Sequence, residues 1–193
     1  MKKITVFDFD GTLSSPDTNY EFWQFAMRRS VRPWIFLPAA LFGLTLKPFS
    51  PNGVFWREMT RLYISKNLLK KLKKDFIKHH LQNRFGWSAE QVAAEKAAGN
   101  YVVCITASSD YFLPDLVKDM KFDLVLCSEM DKNKPWKFKF FCYGENKVKK
   151  LNDKIKSYKI IRSYSDSKSD LPLMRIAREE VWIDPKTGCR IPS

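Results

Sequence analysis

The sequence predicts an α/β fold in which a largely parallel sheet carries a helical insert after its first strand. Three observations predict it. Short apolar runs rich in β-branched and aromatic residues alternate with helical patterns from residue 85 onward. Another such run opens the chain, whereas residues 16–84 contain no buried-strand pattern and read as helices. Carboxylates, hydroxyls and a glycine collect just past the strand ends, where open α/β sheets bind ligands. The expected division is a core of residues 1–15 and 85–193 and an inserted unit of residues 16–84. A chain of 193 residues, 45% apolar and with 15 Phe, can bury such a core but is short for two independent domains.

Residues 4–9 read as a buried strand that ends before Gly11. In the insert, helical runs at 20–29, 33–46, 54–64 and 68–80 are interrupted by Pro33, Pro48, Pro51 and Gly53. Residues 88–98 form a helix that Gly99-Asn100 stops, and 101–105 a second buried strand. Ser109 or Asp110 caps a helix reaching about Met120. Residues 122–127, 159–162 and 181–183 read as further strands, with helical patterns at 146–155 and 171–178.

The net charge is +13, from 34 Lys and Arg against 21 Asp and Glu. It favours anionic partners: phosphorylated metabolites, nucleic acid or an acidic lipid surface. No nucleic-acid-binding motif is present, and the aromatic residues fall at core positions rather than on a base-stacking platform. Cys104, Cys127, Cys142 and Cys189 form no C-x-x-C pair and lie far from His79 and His80, so zinc is a poor fit and reduced, mostly buried thiols are expected. The two histidines end a basic helical run, where exposed or capping His is ordinary. Asp8 and Asp10 precede any long apolar run, which predicts no signal peptide and a cytoplasmic site.

The strongest chemical signal is Asp8-Phe9-Asp10-Gly11-Thr12-Leu13 after the first strand. Alternation along an extended segment points Asp8 and Asp10 to one side. Two close carboxylates repel unless a cation lies between them, and Mg²⁺, a hard ion that takes oxygen ligands, suits that position. One carboxylate can then attack phosphorus while the other moves protons. Gly11 lets backbone amides approach a phosphate, and Thr12 is placed to steady Asp10. Taken alone, the motif is also what a strand followed by an Asx turn looks like.

Three further groups accompany it. Thr106, Ala107 and Ser108 follow the second strand, with hydroxyls and amides suited to phosphate oxygens. Lys147 opens a helix and can neutralise charge between Asp8 and a phosphate, although ten Lys lie between positions 132 and 159 and most must be solvated. Asp166, after the fourth strand, can complete a metal site, and Asp170 can orient a ligand or Lys147 from behind. Four such groups in order, each at a strand's C-terminal end, are far less expected by chance than any one.

These motifs resemble those of the haloacid dehalogenase superfamily of phosphatases, and the likeness spans the chain. It implies a Rossmann-like core with a helical cap of the C1 type, Mg²⁺ and a phospho-aspartyl intermediate. It implies Asp8 as nucleophile, Asp10 as general acid and base, and Lys147 as the charge-neutralising lysine. Phosphate would be bound by Thr12, Thr106, Ala107, Ser108 and Lys147. The metal would be held by Asp8, the main-chain carbonyl of Asp10, and Asp166, with Asp170 behind them. The insert falls where the phosphoserine-phosphatase-like branch carries its cap. A narrower likeness, in Cys142-Tyr143-Gly144-Glu145-Asn146-Lys147-Val148 and Tyr164-Ser165-Asp166-Ser167 through Asp170-Leu171-Pro172-Leu173, is to the bacterial phosphatidylglycerophosphatase C family. Ser165 and Ser167 stand where the wider superfamily has glycines, a departure which that family shares.

The insert bears on the substrate. Residues 33–46 are uncharged and almost wholly apolar, with Arg28, Arg29 and Arg32 before them and Lys47 after. Fourteen helical residues rise roughly 21 Å, short of a hydrocarbon core of roughly 30 Å, so the run fits an interfacial position or the inside of the cap. Seven Lys and Arg against one acid, Asp75, follow in 61–78. Segments 28–47 and 61–78 would together suit peripheral contact with an anionic inner membrane face and a lipid phosphomonoester. The alternatives are a soluble phosphatase for phosphoserine or another small ester, with Asp17 or Glu21 and Arg57 or Arg61 gripping the substrate, and a non-catalytic module for anionic ligands.

Overall fold

The structure, a computed structural model, describes residues 1–35, 38, 66–131 and 138–192. Its strands are β1 (Lys2–Phe7), β2 (Tyr101–Ser109), β3 (Leu124–Met130), β4 (Phe138–Phe140), β5 (Tyr158–Ser165), β6 (Ala177–Ile183) and β7 (Arg190–Ile191). They form one sheet in the order β4-β3-β2-β1-β5-β6-β7. The five inner strands are parallel, and β4 and β7 close the edges antiparallel. The α/β class expected from the sequence is the class observed.

Topology places the site. The chain steps outward from β1 to β2 and β3, then returns to the opposite side of β1 for β5 and β6. That reversal opens a crevice beyond the C-terminal end of β1, where ligands settle in open α/β sheets.

Both faces of the sheet are covered, which is why β1 reads as a continuous apolar run. Ile4 and Val6 pack with Val103, Ile105 and Ile160 beneath α6 (Glu145–Lys154) and α7 (Leu171–Met174), whose Leu151 and Leu173 close that core. Phe7 and Tyr164 face the other way, their rings stacked at 4.4 Å, beneath α4 (Ser88–Ala97) and α5 (Leu113–Leu116). Glu95 on α4 is buried and accepts hydrogen bonds from Thr5 Oγ1 (2.8 Å), Asn100 Nδ2 (2.8 Å) and Arg162 Nη1 (2.7 Å). Burial alone would push its carboxyl up, but Arg162, Thr5 and Asn100 outweigh that and hold it below the usual range.

Within 16–84 the described residues are helical: α1 (Thr18–Met27), α2 (Arg32–Ile35) and α3 (Lys66–His80), then a 3₁₀ turn at Leu81–Asn83. The expected run 54–64 lies outside the described residues, as does most of 33–46. Asp17 caps α1 by accepting from the amides of Asn19 and Tyr20, each at 2.9 Å. Phe22 and Phe76 meet edge to face at 4.9 Å, and Phe76 meets Phe112 at 5.0 Å, so these helices share the core beneath α4 and α5. The chain before α1 and the chain after the 3₁₀ turn run side by side: Ser15 N donates to Asn83 O (3.2 Å) and Phe85 N to Leu13 O (3.0 Å).

Two expectations need correction, and two short strands were not expected at all. The helix expected at 171–178 stops at Met174, and residues 177 and 178 belong to β6, because pairing with β5 overrides local helix preference. The helix expected at 109–120 is broken: β2 runs on to Ser109, and only α5 and a 3₁₀ turn at Lys118–Met120 follow. Edge strands β4 and β7 carried too few residues to register as patterns.

Candidate active site

Asp8 leaves β1 with its amide still bonded to Tyr164 O of β5 (3.0 Å), which extends the parallel ladder by one residue and fixes the carboxylate. Lys147, in the first turn of α6, is 2% exposed. Its Nζ lies 3.0 Å from Asp8 Oδ1 and 2.7 Å from Asp170 Oδ2. Burial alone would discharge Lys147, but Asp8 and Asp170 outweigh it and hold the ammonium charged. Asp170 also accepts from Ser165 Oγ at 2.8 Å, so it is aimed at Lys147 from behind. Burial pushes the Asp8 carboxyl well up. Lys147 pulls it down, and Asp170, Asp166 and Asp10 add to the rise.

Asp10 is held on both oxygens. Oδ1 accepts from the amide of Thr18 (2.8 Å) and its hydroxyl, and Oδ2 from Ser108 Oγ. Burial and then Asp17 push its carboxyl up to about 6, against the pull of those hydrogen bonds. A group near that value can both give and accept a proton at neutral pH.

Thr12, expected to steady Asp10, donates to Asp166 Oδ1 at 3.1 Å instead, because the chain turns at Gly11 (φ 73°). Thr18 and Ser108 do what Thr12 was expected to do. Thr106 and Ala107 line the same cavity as Asp8, Asp10, Lys147 and Asp166, about 400 Å³ in volume. They lie where β2 loses register with β3, between Ile105 and Ser109. Thr12 and Ser108, expected beside them as phosphate ligands, do not line the cavity and turn their hydroxyls to Asp166 and Asp10 instead.

A Cβ on Gly11 would fall 2.2 Å from Asp166 Oδ2, and L residues resist this φ. Gly11→Ala is expected to displace the Asp166 carboxylate. It should cost roughly 1–2 kcal/mol of stability and about 10²-fold in turnover while the fold survives. Thermal melts beside kinetics on the same preparation check this.

A hard divalent cation fits here. Asp8 Oδ1 is buried, and the ammonium 3.0 Å from it, Lys147, is shared with Asp170. Burial also pushes the Asp166 carboxyl up, offset in part by its own backbone amide and Thr12. Such an acid-rich pocket is relieved by positive charge. Among the described residues, no group of three or more His, Cys, Asp or Glu could hold a metal by side chains alone. Two carboxylates with main-chain oxygen and water make an ordinary Mg²⁺ shell.

Besides Thr18, two features were not legible in the sequence. Lys186, beyond β6, lines the cavity. His80 is buried, not exposed: Nδ1 bonds Glu21, and Nε2 lies 3.2 Å from Ser14 Oγ. This joins α1, α3 and Ser14, just past the first motif, across 59 and 66 positions, a separation no local pattern reveals. Cys104, Cys127 and Cys142 are buried and Cys189 exposed, all as free thiols.

A doubly wound sheet with paired acids, a buried lysine and a second acidic loop at its switch point defines a class of hydrolase core. A model of the haloacid dehalogenase-like hydrolases matches residues 5–175, and the chain belongs to that family. A probable phosphatase of Mycobacterium tuberculosis is 26% identical over 113 residues, covering 55% of this chain and 39% of that protein. The match thus spans well under half of that relative's length. A Bordetella pertussis protein of unknown function superposes with a TM-score of 0.80 at 16% identity, over 96% of this chain and 91% of that one. A phospho-aspartyl intermediate analogue of phosphoserine phosphatase gives 0.63 at 14% identity, over 94% and 86%. At such identities the likeness is one of fold.

Proposed function

We propose that the protein is a Mg²⁺-dependent phosphatase that works through a phospho-aspartyl intermediate on Asp8, and that its substrate is a lipid phosphomonoester such as phosphatidylglycerophosphate. The observation that carries the chemistry is the convergence of Asp8, Asp10, Lys147, Asp166 and Thr106 on one cavity. Family membership agrees with it. Bound by Asp8, Asp166 and the main-chain carbonyl of Asp10, Mg²⁺ would supply charge to the phosphate oxygens.

The protein's own groups do the rest. An Asp8 oxygen attacks phosphorus, and the bond to the ester oxygen breaks. Lys147 meets the developing negative charge. Asp10 gives its proton to the departing alkoxide. It then takes a proton from the water that attacks phosphorus, which releases phosphate and restores Asp8. Thr106 and Ala107 hold the phosphate oxygens from the end of β2.

Two surfaces favour the lipid. Val31, Trp34 and Ile35 are exposed beside exposed Arg28 and Arg29. On α3, Lys70, Lys71, Lys74 and Lys78 are exposed while Leu72 and Phe76 are buried. Apolar side chains flanked by cations suit an anionic membrane surface. No helix among the described residues is long and apolar enough to cross a membrane. The small-ester reading loses one anchor, because Glu21 is engaged by His80 and Asn83. Asp17 does line the cavity.

The test is phosphate release, with Mg²⁺ or with EDTA, from phosphatidylglycerophosphate in mixed micelles and from phosphoserine. Mg²⁺-dependent release chiefly from the lipid is expected. Release from phosphoserine alone would replace the substrate, and release undiminished by EDTA would sink the metal.

A further inference from the structure

We propose that Lys186 is a specificity-determining residue that binds a second anionic group on the alcohol part of the substrate. This rests on the phosphatase reading above. Of the two lysines lining the cavity, Lys147 is spent on Asp8 and Asp170. Lys186 is exposed at the rim and makes no ion pair among the described residues. Asp184 of the same turn feels its charge but has Oδ1 taken by backbone amides, and a cation at the mouth of a cavity lined by Asp8, Asp10, Asp17 and Asp166 is suited to an anion brought by the ligand.

The turn that presents it is built, not loose. Asp184 Oδ1 accepts from the amides of Lys186 (2.7 Å) and Thr187 (3.0 Å), an Asx turn that shapes the backbone at Lys186. Asp184 and Cys189 close the hairpin by an N–H to O bond of 2.9 Å. Gly188 (φ 71°) lies so close to the Phe85 ring that a Cβ would fall 2.5 Å from it. Its carbonyl accepts from Trp87 Nε1 at 2.7 Å. Phe85 and Trp87 begin the core just after the insert, so the hairpin is clamped to the side of the site. Lysine entropy is the usual reason an exposed cation contributes little. Here the backbone half of that ordering is already met before any ligand arrives.

The phosphate to be cleaved sits over Asp8. The alcohol must therefore lead out past the rim, and Lys186 selects alcohols that carry a negative group within its reach. A phosphodiester in a lipid headgroup and a carboxylate in a small ester share that chemistry.

The experiment compares wild type with Lys186→Ala, Lys186→Arg and Lys186→Glu. Three substrates are used: phosphatidylglycerophosphate in mixed micelles, phosphoserine, and p-nitrophenyl phosphate, which has no second anion. For Lys186→Ala, kcat/KM on an anion-bearing substrate is expected to fall about tenfold relative to that on p-nitrophenyl phosphate, mostly through KM. Lys186→Glu should fall further, and Lys186→Arg should retain most of the preference. A relative loss confined to the lipid assigns the phosphodiester, and one confined to phosphoserine the carboxylate. Equal losses on all three substrates, or no loss on any, would overturn the role of Lys186 with the phosphatase intact. A wild type inactive on all three would overturn the phosphatase reading and this inference with it.

Discussion

Asp8→Asn is expected to lower turnover of any phosphomonoester by roughly 10⁴-fold or more, because an amide cannot form the phospho-enzyme. The same variant is expected to be more stable than wild type in metal-free buffer at neutral pH. The two effects share one cause. The native environment pushes the Asp8 carboxyl up, through burial first and then its acidic neighbours, despite Lys147. An acid whose pKa is higher folded than unfolded binds more protons in the native state. Its ionised form therefore costs stability, and that cost grows as pH rises through the interval between the two values. Replacing the carboxylate with an amide removes it. The checks are phosphate release, phospho-enzyme trapping and thermal melts in EDTA. Full activity in Asp8→Asn would overturn the assignment of the nucleophile. A marked fall in its melting temperature would show that Asp8 holds the fold together instead of straining it.

The fold and the acidic part of the site were legible in the sequence for a physical reason. Asp8, Asp10, Asp166 and Asp170 lie within a few residues of a strand's end, and strands buried on both faces announce themselves as apolar runs. What was not legible depends on distant partners. Nothing local to Thr18 says that it holds Asp10, because the bond forms only when α1 docks against the first motif. Thr12 stood beside Asp10 in sequence, yet the left-handed turn at Gly11 sends its hydroxyl to Asp166, 154 positions away. Lys147 was one of ten lysines in its stretch, and burial between Asp8 and Asp170 alone distinguishes it. His80 and Lys186 belong to the same category: ordinary residues that long-range packing places at or beside the site.

The hold of α1 on Asp10 has a mechanistic consequence. Thr18 is the first residue of α1, and two of the three donors to the Asp10 carboxylate come from it. Those bonds pull the Asp10 carboxyl down against its burial. Any displacement of α1 that breaks them would leave Asp10 a weaker acid, so the position of α1 and the proton affinity of Asp10 are coupled.

Lys147→Met is expected to destabilise the protein by roughly 3–5 kcal/mol at neutral pH and to abolish detectable turnover. Methionine matches the volume and apolar stem, so the loss is electrostatic rather than a cavity. Without the ammonium, Asp8 and Asp170 remain buried with no cation between them, and the native state must hold two close acids in a low dielectric. Protonation relieves this. In the variant the native state takes up protons that the unfolded chain releases, so its deficit against wild type should shrink as pH falls from 7 toward 5. In wild type Lys147 itself adds no such trend there, because a lysine held charged by its partners keeps its full contribution far above neutral pH, and its pull on Asp8 keeps the carboxylate's own trend smaller than in the variant. Turnover fails for the same reason, since an Asp8 pushed further up is protonated and no longer a nucleophile. Denaturant unfolding at several pH values measures the deficit. Adding Asp8→Asn to Lys147→Met should restore part of the stability, with a coupling energy of roughly 1–3 kcal/mol in the double-mutant cycle. Additivity of the two changes, or a deficit that does not vary with pH, would mean that Lys147 contributes packing rather than charge.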